Sequence, residues 1–323
     1  PGTIEEQGVV LSGSTWWLPG FGEELLTFRL EVDLPEDWDA VSQGARARHE
    51  IVDGRRRVVW DSPEPMDEAY LIAAPFVEYS RPAGQVTAQA FLRGEEPNLA
   101  ARYLEATVQY VEMYRKLIGP YPYDKFALVE NFWDTGYGMP SFTLLGPRII
   151  RFPFILNSSY PHEILHNWWG NSVFVDYESG NWCEGLTAYL ADHLIREGQR
   201  RGTEYRRDTL KKYRNFVRGD QDFPLTDFRA RHSSATEAVG YGKSLMLWHM
   251  LRRRLGDETF ARGLARFYRE NRFLRAAFDD LRSAFSAEAG EDLTDVFVQW
   301  VERTGAPDLR LESLDWRKTD ENG

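Results

Sequence analysis

Two histidines four positions apart, with a glutamate beside the first, are the residues of this chain best arranged to do chemistry: His162-Glu163-Ile164-Leu165-His166. On a helix, positions i and i+4 share a face, with Cβ atoms about 5–6 Å apart. Two imidazoles so placed reach one divalent ion at about 2.0–2.1 Å. Glu163 then projects beside the ion and takes a proton from a metal-activated water without ligating the metal. The same stretch carries Ile164, Leu165, Trp168 and Trp169. The histidines therefore lie in an apolar run, where polar groups without partners are costly.

A catalytic zinc takes three protein ligands and keeps one position open. Glu184 is the leading third ligand, at the start of the next predicted helix; one loop after His166 is room enough for that helix to turn back and face the first. Asp176 and Glu178 in the loop, and His193 further along the second helix, are the alternatives. Asn181 and Glu184 also fit the spacing of a helix-capping box. The single cysteine, Cys183, allows no intrachain disulfide. No separate Cys/His pairing supports a nucleophile there, and it reads as a helix-packing thiol.

The elements that must hold this constellation change character along the chain. Residues 1–92 read as β: alternating segments such as ELLTFRLEVDLP, a hairpin signal at Asp53-Gly54, and Pro/Gly clusters between strands. From 99 to 118 apolar residues recur at helical spacing, and Gly119-Pro120 ends that helix. KFALVEN, FTLLG and RIIRF then read as extended. Helices are predicted near 160–171, 182–197, 203–218, 237–255, 257–270, 276–288 and 292–303. The division is 1–92, 93–305, and 306–323 as the start of a further β segment, an α+β chain.

The chain has 323 residues, 42% hydrophobic and 28% charged, ordinary for a soluble globular protein with a sizeable core. Its formal net charge of −11 argues against binding nucleic acid, which needs a basic surface. No run approaches the roughly 18 apolar residues of a membrane span. The chain starts at Pro1 rather than Met, which leans toward a trimmed leader and an exported or periplasmic protein.

The segments HEILHNWWGN and NWCEGLTAYL together resemble the aminopeptidase N family of gluzincin metallopeptidases, which also contains leukotriene hydrolase. The resemblance runs from about Glu24 to Leu314. It implies a partial, saddle-like N-terminal β domain followed by a thermolysin-like, mainly helical zinc metallopeptidase domain. It implies a piece of a longer protein that lacks the usual C-terminal domains. It also implies one zinc ion per chain on His162, His166 and Glu184, with Glu163 as general base and a peptide as substrate. In VGYGKSLMLWHML, Tyr241 matches the family's oxyanion-stabilising tyrosine. A phenol donor aimed at developing negative charge acts where stabilisation counts most.

Two departures from the family pattern stand out. The stretch between His166 and Glu184 is one residue short, which a loop absorbs. Where aminopeptidases of the family carry Gly-Ala-Met-Glu-Asn, whose glutamate holds the substrate's free amine, this chain has Gly138-Met139-Pro140-Ser141 after Tyr137. Gly138 and Met139 still suit a strand edge that pairs with a peptide backbone. Pro140 cannot hold an ammonium group, and Glu130 or Asp134 just upstream are the candidates to supply that charge. The expected activity is aminopeptidase-like hydrolysis of short peptides. Its rivals are a zinc hydrolase of a non-peptide electrophile such as an epoxide, and a non-catalytic scaffold of the same fold.

Overall fold

The computed structural model describes residues 2–20, 22, 24–306 and 313–315. The N-terminal region forms β1 (Thr3–Glu5), β2 (Gly8–Leu11), β3 (Leu26–Pro35), β4 (Asp39–Val41), β5 (Ala45–Val52), β6 (Arg55–Met66) and β7 (Leu71–Ala74). They make two antiparallel sheets, ordered β1-β2-β7-β4 and β3-β6-β5. β5 and β6 meet at the Asp53-Gly54 turn, where both residues have positive φ, 53° and 70°. That is the backbone a two-residue hairpin of this twist requires.

A five-stranded sheet follows, ordered β11-β12-β10-β9-β8. Its strands are β8 (Val77–Ala83), β9 (Val86–Leu92), β10 (Lys125–Glu130), β11 (Gly136–Met139) and β12 (Phe142–Leu145). β9, β10 and β12 run parallel to one another, and β8 and β11 are antiparallel edges. Every residue of β10 and β12 is buried, as expected for strands covered on both faces. One face, with Ala88, Phe126 and Leu128, packs on helix α1 (Pro97–Leu117) and the helical region. The other, with Phe91, Ala127 and Val129, packs on Val58, Trp60 and Ile72 of the N-terminal sheets. Composition changes near residue 93, but hydrogen bonding crosses that point, since β8 and β9 join β10.

The remaining chain is mostly helical. α2 is Ser159–Leu165, α3 Cys183–Ala188, α4 Leu194–Gly198, α5 Gly202–Phe216 and α6 Ser234–Glu237. α7 is Ser244–Leu255, α8 Asp257–Asn271, α9 Phe278–Ala289 and α10 Thr294–Phe297. π-turns at Tyr189–His193 and Ala238–Lys243 join α3 to α4 and α6 to α7 into two long helices. β13 (Phe174–Val175) and β14 (Arg275–Ala276) form a short parallel pair that ties the loop after α2 to the chain ahead of α9.

Two sequence expectations need correction, and a third falls mostly outside the described residues. The helix expected over 160–171 stops at Leu165, and residues 166–169 turn away from it. RIIRF is not extended: Ile149–Arg151 is a 3-10 turn with only Ile150 buried. The β segment expected over 306–323 lies outside the described residues, apart from 306 and 313–315. Among the described residues no helix is long and apolar enough to cross a membrane.

Candidate metal centre

α2 turns its apolar side inward: Tyr160, Ile164 and Leu165 are fully buried. Its opposite side presents His162, Glu163 and, at the C-cap, His166 to a cavity of about 650 Å3. The helix end is closed by Asn167, whose Nδ2 donates to the carbonyls of Glu163 (3.3 Å) and Ile164 (3.0 Å). The Ile164 carbonyl also accepts from the Asn167 N–H at 3.1 Å, so this one residue serves the last turn, where carbonyls run out of intrahelical donors. Just beyond, buried Trp168 donates its indole N–H to Gly119 O at 3.1 Å, so the chain carrying the histidines is anchored in the core.

α3 brings Glu184 from the other side. It is set by Trp182, buried and donating to Ala276 O at 2.6 Å. It is set also by Gly185, where a Cβ would collide with Ser244. This close crossing brings Tyr241 onto Glu184.

The three groups converge. Glu184 Oε2 lies 3.5 Å from His162 Nε2 and 3.8 Å from His166 Nε2. The imidazole centroids are 4.8 Å apart. One ligand atom from each residue lies within 4.8 Å of the others. Two imidazole nitrogens and one carboxylate at this spacing are the donor set of a catalytic zinc. The outer nitrogens are also engaged: His162 Nδ1 meets Asp192 Oδ2 at 3.2 Å, and His166 Nδ1 is 3.2 Å from Trp169 O. Such contacts fix ring orientation, so both Nε2 atoms point into the cavity.

The electrostatics follow from the crowding. Burial works to raise the Glu184 carboxyl, but the His162 hydrogen bond and the charge of both imidazoles outweigh it and hold it at about 2. Among the described residues Glu163 accepts no such bond. Burial pushes its carboxyl up, and His162 and His166 pull it only part of the way back, the direction a general base needs. The Tyr241 phenol is raised by burial and by the Glu184 carboxylate on which its hydroxyl rests. Burial also pushes the Cys183 thiol well above its usual range, 3.4 Å from His166 Nδ1. A thiol held neutral is a poor nucleophile.

The alternatives for the third ligand lie elsewhere. Asp176 caps its own 3-10 turn through the Glu178 N–H at 3.1 Å, and His193 Nε2 faces Arg206 at 2.7 Å. Gly138 lines the cavity on the edge strand β11, so close to Glu163 that a Cβ there would overlap its carboxylate. Met139 does not line the cavity; its side chain is buried with Phe142 and Leu144 in the core between the sheets. Alternation along the strand turns one neighbour out and the next in.

Neither acid proposed for the lost charge reaches the cavity. Glu130 is buried against Arg151 at 2.8 Å, and Asp134 pairs with Arg148 on the surface. Instead Asp67 and Glu68, from the β6–β7 connection, line it. Glu68 accepts hydrogen bonds from Tyr70 and the Gly13 N–H. Burial, with the Glu68 charge, pushes Asp67 up to about 6. Asp67, Glu68 and Asp192 carry no local sequence signal: the first two arrive from a distant sheet. Asp192 is eight positions after Glu184, about 80° around an ordinary helix. The π-turn at 189–193 holds one extra residue and brings it back to within about 20°. A second group, Asp39, His49 and Glu78, also clusters, but Arg46 already clamps Glu78 at 2.8 and 2.9 Å.

Residues 157–300 match the family model described as the peptidase family M1 domain. Over 95% of the chain it is 22% identical to aminopeptidase M1-B of Oryza sativa, covering 38% of that protein. Over 67% it is 26% identical to the alanine/arginine aminopeptidase of Saccharomyces cerevisiae, covering 26% of it. The chain thus spans less than two fifths of the length of these relatives. It also superposes on an M1 zinc metallopeptidase mutant of Deinococcus radiodurans bound to a Tyr-Ser-Ala substrate. The TM-score is 0.73 at 19% identity, covering 89% of this chain and 66% of that one.

Proposed function

The chain belongs to the aminopeptidase N family of gluzincin zinc metallopeptidases, and from that premise we propose that it removes residues from the free amino end of short peptides, using one zinc ion per chain. The observation that carries this reading is the convergence of His162, His166 and Glu184 in one cavity with Glu163 beside them and outside the ligand set. Held by those three side chains, zinc supplies Lewis acidity, lowering the pKa of a water toward about 7 and polarising a carbonyl.

The protein supplies the rest. Glu163 takes the proton of the attacking water and returns it to the leaving amine. Tyr241 turns its hydroxyl from Glu184 to the oxyanion. The substrate backbone pairs with the open edge of β11 at Gly136–Gly138. Pro140 is buried in the turn after β11 and offers no charge. Asp67 has a carboxyl raised by burial and makes no ion pair among the described residues. An arriving ammonium group would add its positive charge to that of Arg275, which already acts on this carboxyl.

The test is Glu163→Gln. It removes the base and keeps the three ligands, so zinc content stays at the wild-type value while peptide turnover falls by about 10²–10⁴. Near-normal hydrolysis by this variant overturns the role of Glu163. Turnover of an epoxide, with no hydrolysis of any free-amine peptide, would favour the non-peptide reading.

A further inference from the structure

We propose that Lys125, Ser141 and Asn167 form a buried clamp that fixes where the edge strand β11 lies over Glu163, with Lys125 as a positioning residue for the bound peptide. The proposal rests on the peptidase reading only where it speaks of the peptide.

β11 needs such a device. It is four residues long, an edge, and paired on one side only, from Gly136↔Leu145 to Met139↔Phe142. Gly138 nonetheless touches the Glu163 carboxylate closely enough to exclude a Cβ. A shift of the strand by one side-chain position would put a different residue over the base. The two-residue turn that ends the strand, Pro140-Ser141, holds Ser141 at a φ of 66°, in the left-handed region that disfavours a residue with a Cβ. Surrounding contacts must impose that conformation.

They do so through each polar atom of Ser141. Its N–H donates to Asn167 Oδ1 at 2.7 Å. Its carbonyl accepts from Ala127 N at 3.1 Å and from Lys125 Nζ at 3.2 Å, and its Oγ lies 2.7 Å from the same amine. Asn167 is the residue whose Nδ2 closes the catalytic helix at the carbonyls of Glu163 and Ile164. One side chain therefore ties the turn of the substrate strand to the helical turn that carries the base. Tyr121 adds a hydrogen bond to Asn167 Oδ1 at 3.1 Å.

Lys125 is the unusual member. Its side chain is buried, with Nζ 4.8 Å from the Trp60 ring centre and 5.4 Å from that of Phe142. Among the described residues it makes no ion pair; its amine hydrogen-bonds to Ser141. Burial holds the amine far below the usual lysine range. An amine without a carboxylate is an expensive core filler, and filling space here needs only an apolar chain such as methionine. What lysine adds is the pair of contacts to the strained turn.

Kinetics of Lys125→Met and of Lys125→Met/Ser141→Gly decide between positioning and plain stabilisation. Lys125→Met should raise KM for a tripeptide at least tenfold, with kcat within threefold and zinc content unchanged. Glycine adopts the turn conformation freely, so the double variant should regain the thermal midpoint while KM stays raised. A KM within threefold of wild type for Lys125→Met, or a KM that returns together with the midpoint, overturns the proposal. Amide exchange gives a readout independent of activity and of either variant's folding. In the wild-type protein the Ser141 N–H should exchange as slowly as the core helix amide of Leu165. Exchange of Ser141 at the rate of an exposed turn overturns the clamp. A wild-type protein that cleaves no peptide but protects Ser141 keeps the clamp and overturns the peptidase reading.

Discussion

Replacing Gly138 with alanine separates the chemistry of the site from its stability. The new Cβ would overlap Glu163 Oε2, with the His166 ring at 3.5 Å and the Glu163 carboxyl carbon at 3.6 Å. The clashing atom is the tip of a flexible side chain, so the fold yields easily: the carboxylate swings aside by roughly 1 Å. Displacement of a reacting group by that distance costs about 10²-fold in rate. That corresponds to about 2.7 kcal/mol of transition-state stabilisation. Glu163 is not a ligand, so zinc content should stay at the wild-type level and the thermal midpoint should move by no more than a few degrees. Gly136→Ala is the comparison on the same substrate-pairing strand, because a Cβ there meets only Leu145 Cδ2 at 3.7 Å and leaves Glu163 untouched. The assay is kcat/KM on a free-amine tripeptide for the three proteins, with zinc measured on each. Activity of Gly138→Ala within threefold of wild type, or an equal loss in Gly136→Ala, would refute the placement of β11 over the base.

Tyr241→Phe removes the hydroxyl that rests on Glu184 and should lower kcat by about 10²–10³ with zinc retained; an unchanged kcat removes Tyr241 from the mechanism. Asp192→Ala strips the carboxylate from His162 Nδ1 and should weaken zinc binding by about 10–100-fold in competition with a chelating dye; equal affinity would count against it. Asp67→Asn should lower, at least tenfold, the ratio of kcat/KM for a free-amine peptide to that for its N-acetylated form. The same ratio in the wild type should fall as pH drops through about 6, because a carboxyl raised to that value is ionised above it and neutral below. A ratio independent of both leaves the amine to another group.

The sequence made part of the site legible and hid the rest for identifiable reasons. His162, Glu163 and His166 were readable because a fixed helical spacing puts them on one face. Glu184 was readable only as one of several, since nothing local says that Asp176 caps its own turn or that His193 faces Arg206. Asp67 and Glu68 were invisible because sheet packing, and no spacing rule, carries them into the cavity. Met139 lies on the edge strand β11, as its sequence suggests, but strand alternation turns its side chain away from the cavity into the core. In the fold, the Asp53-Gly54 hairpin and most helices follow their local signals. The change of composition near residue 93 did not reveal that β9 would pair in parallel with β10 across a helix, a long-range hydrogen-bonding choice.

The two π-turns lie where the auxiliary groups sit, Asp192 in one and Tyr241 in the other, whereas the three ligands lie on ordinary winding. Rewinding either turn into regular α geometry with its residue count unchanged would force the extra residue into the winding. The regular helix is the easier one to form, yet everything beyond the turn would rotate by about 100° relative to the ligands. Such a rewound chain would keep every residue and point Asp192 or the residues after Tyr241 at the wrong neighbours. In these two helices the winding itself is the inherited information, and a redesign that regularised it for stability would erase the site without touching a ligand.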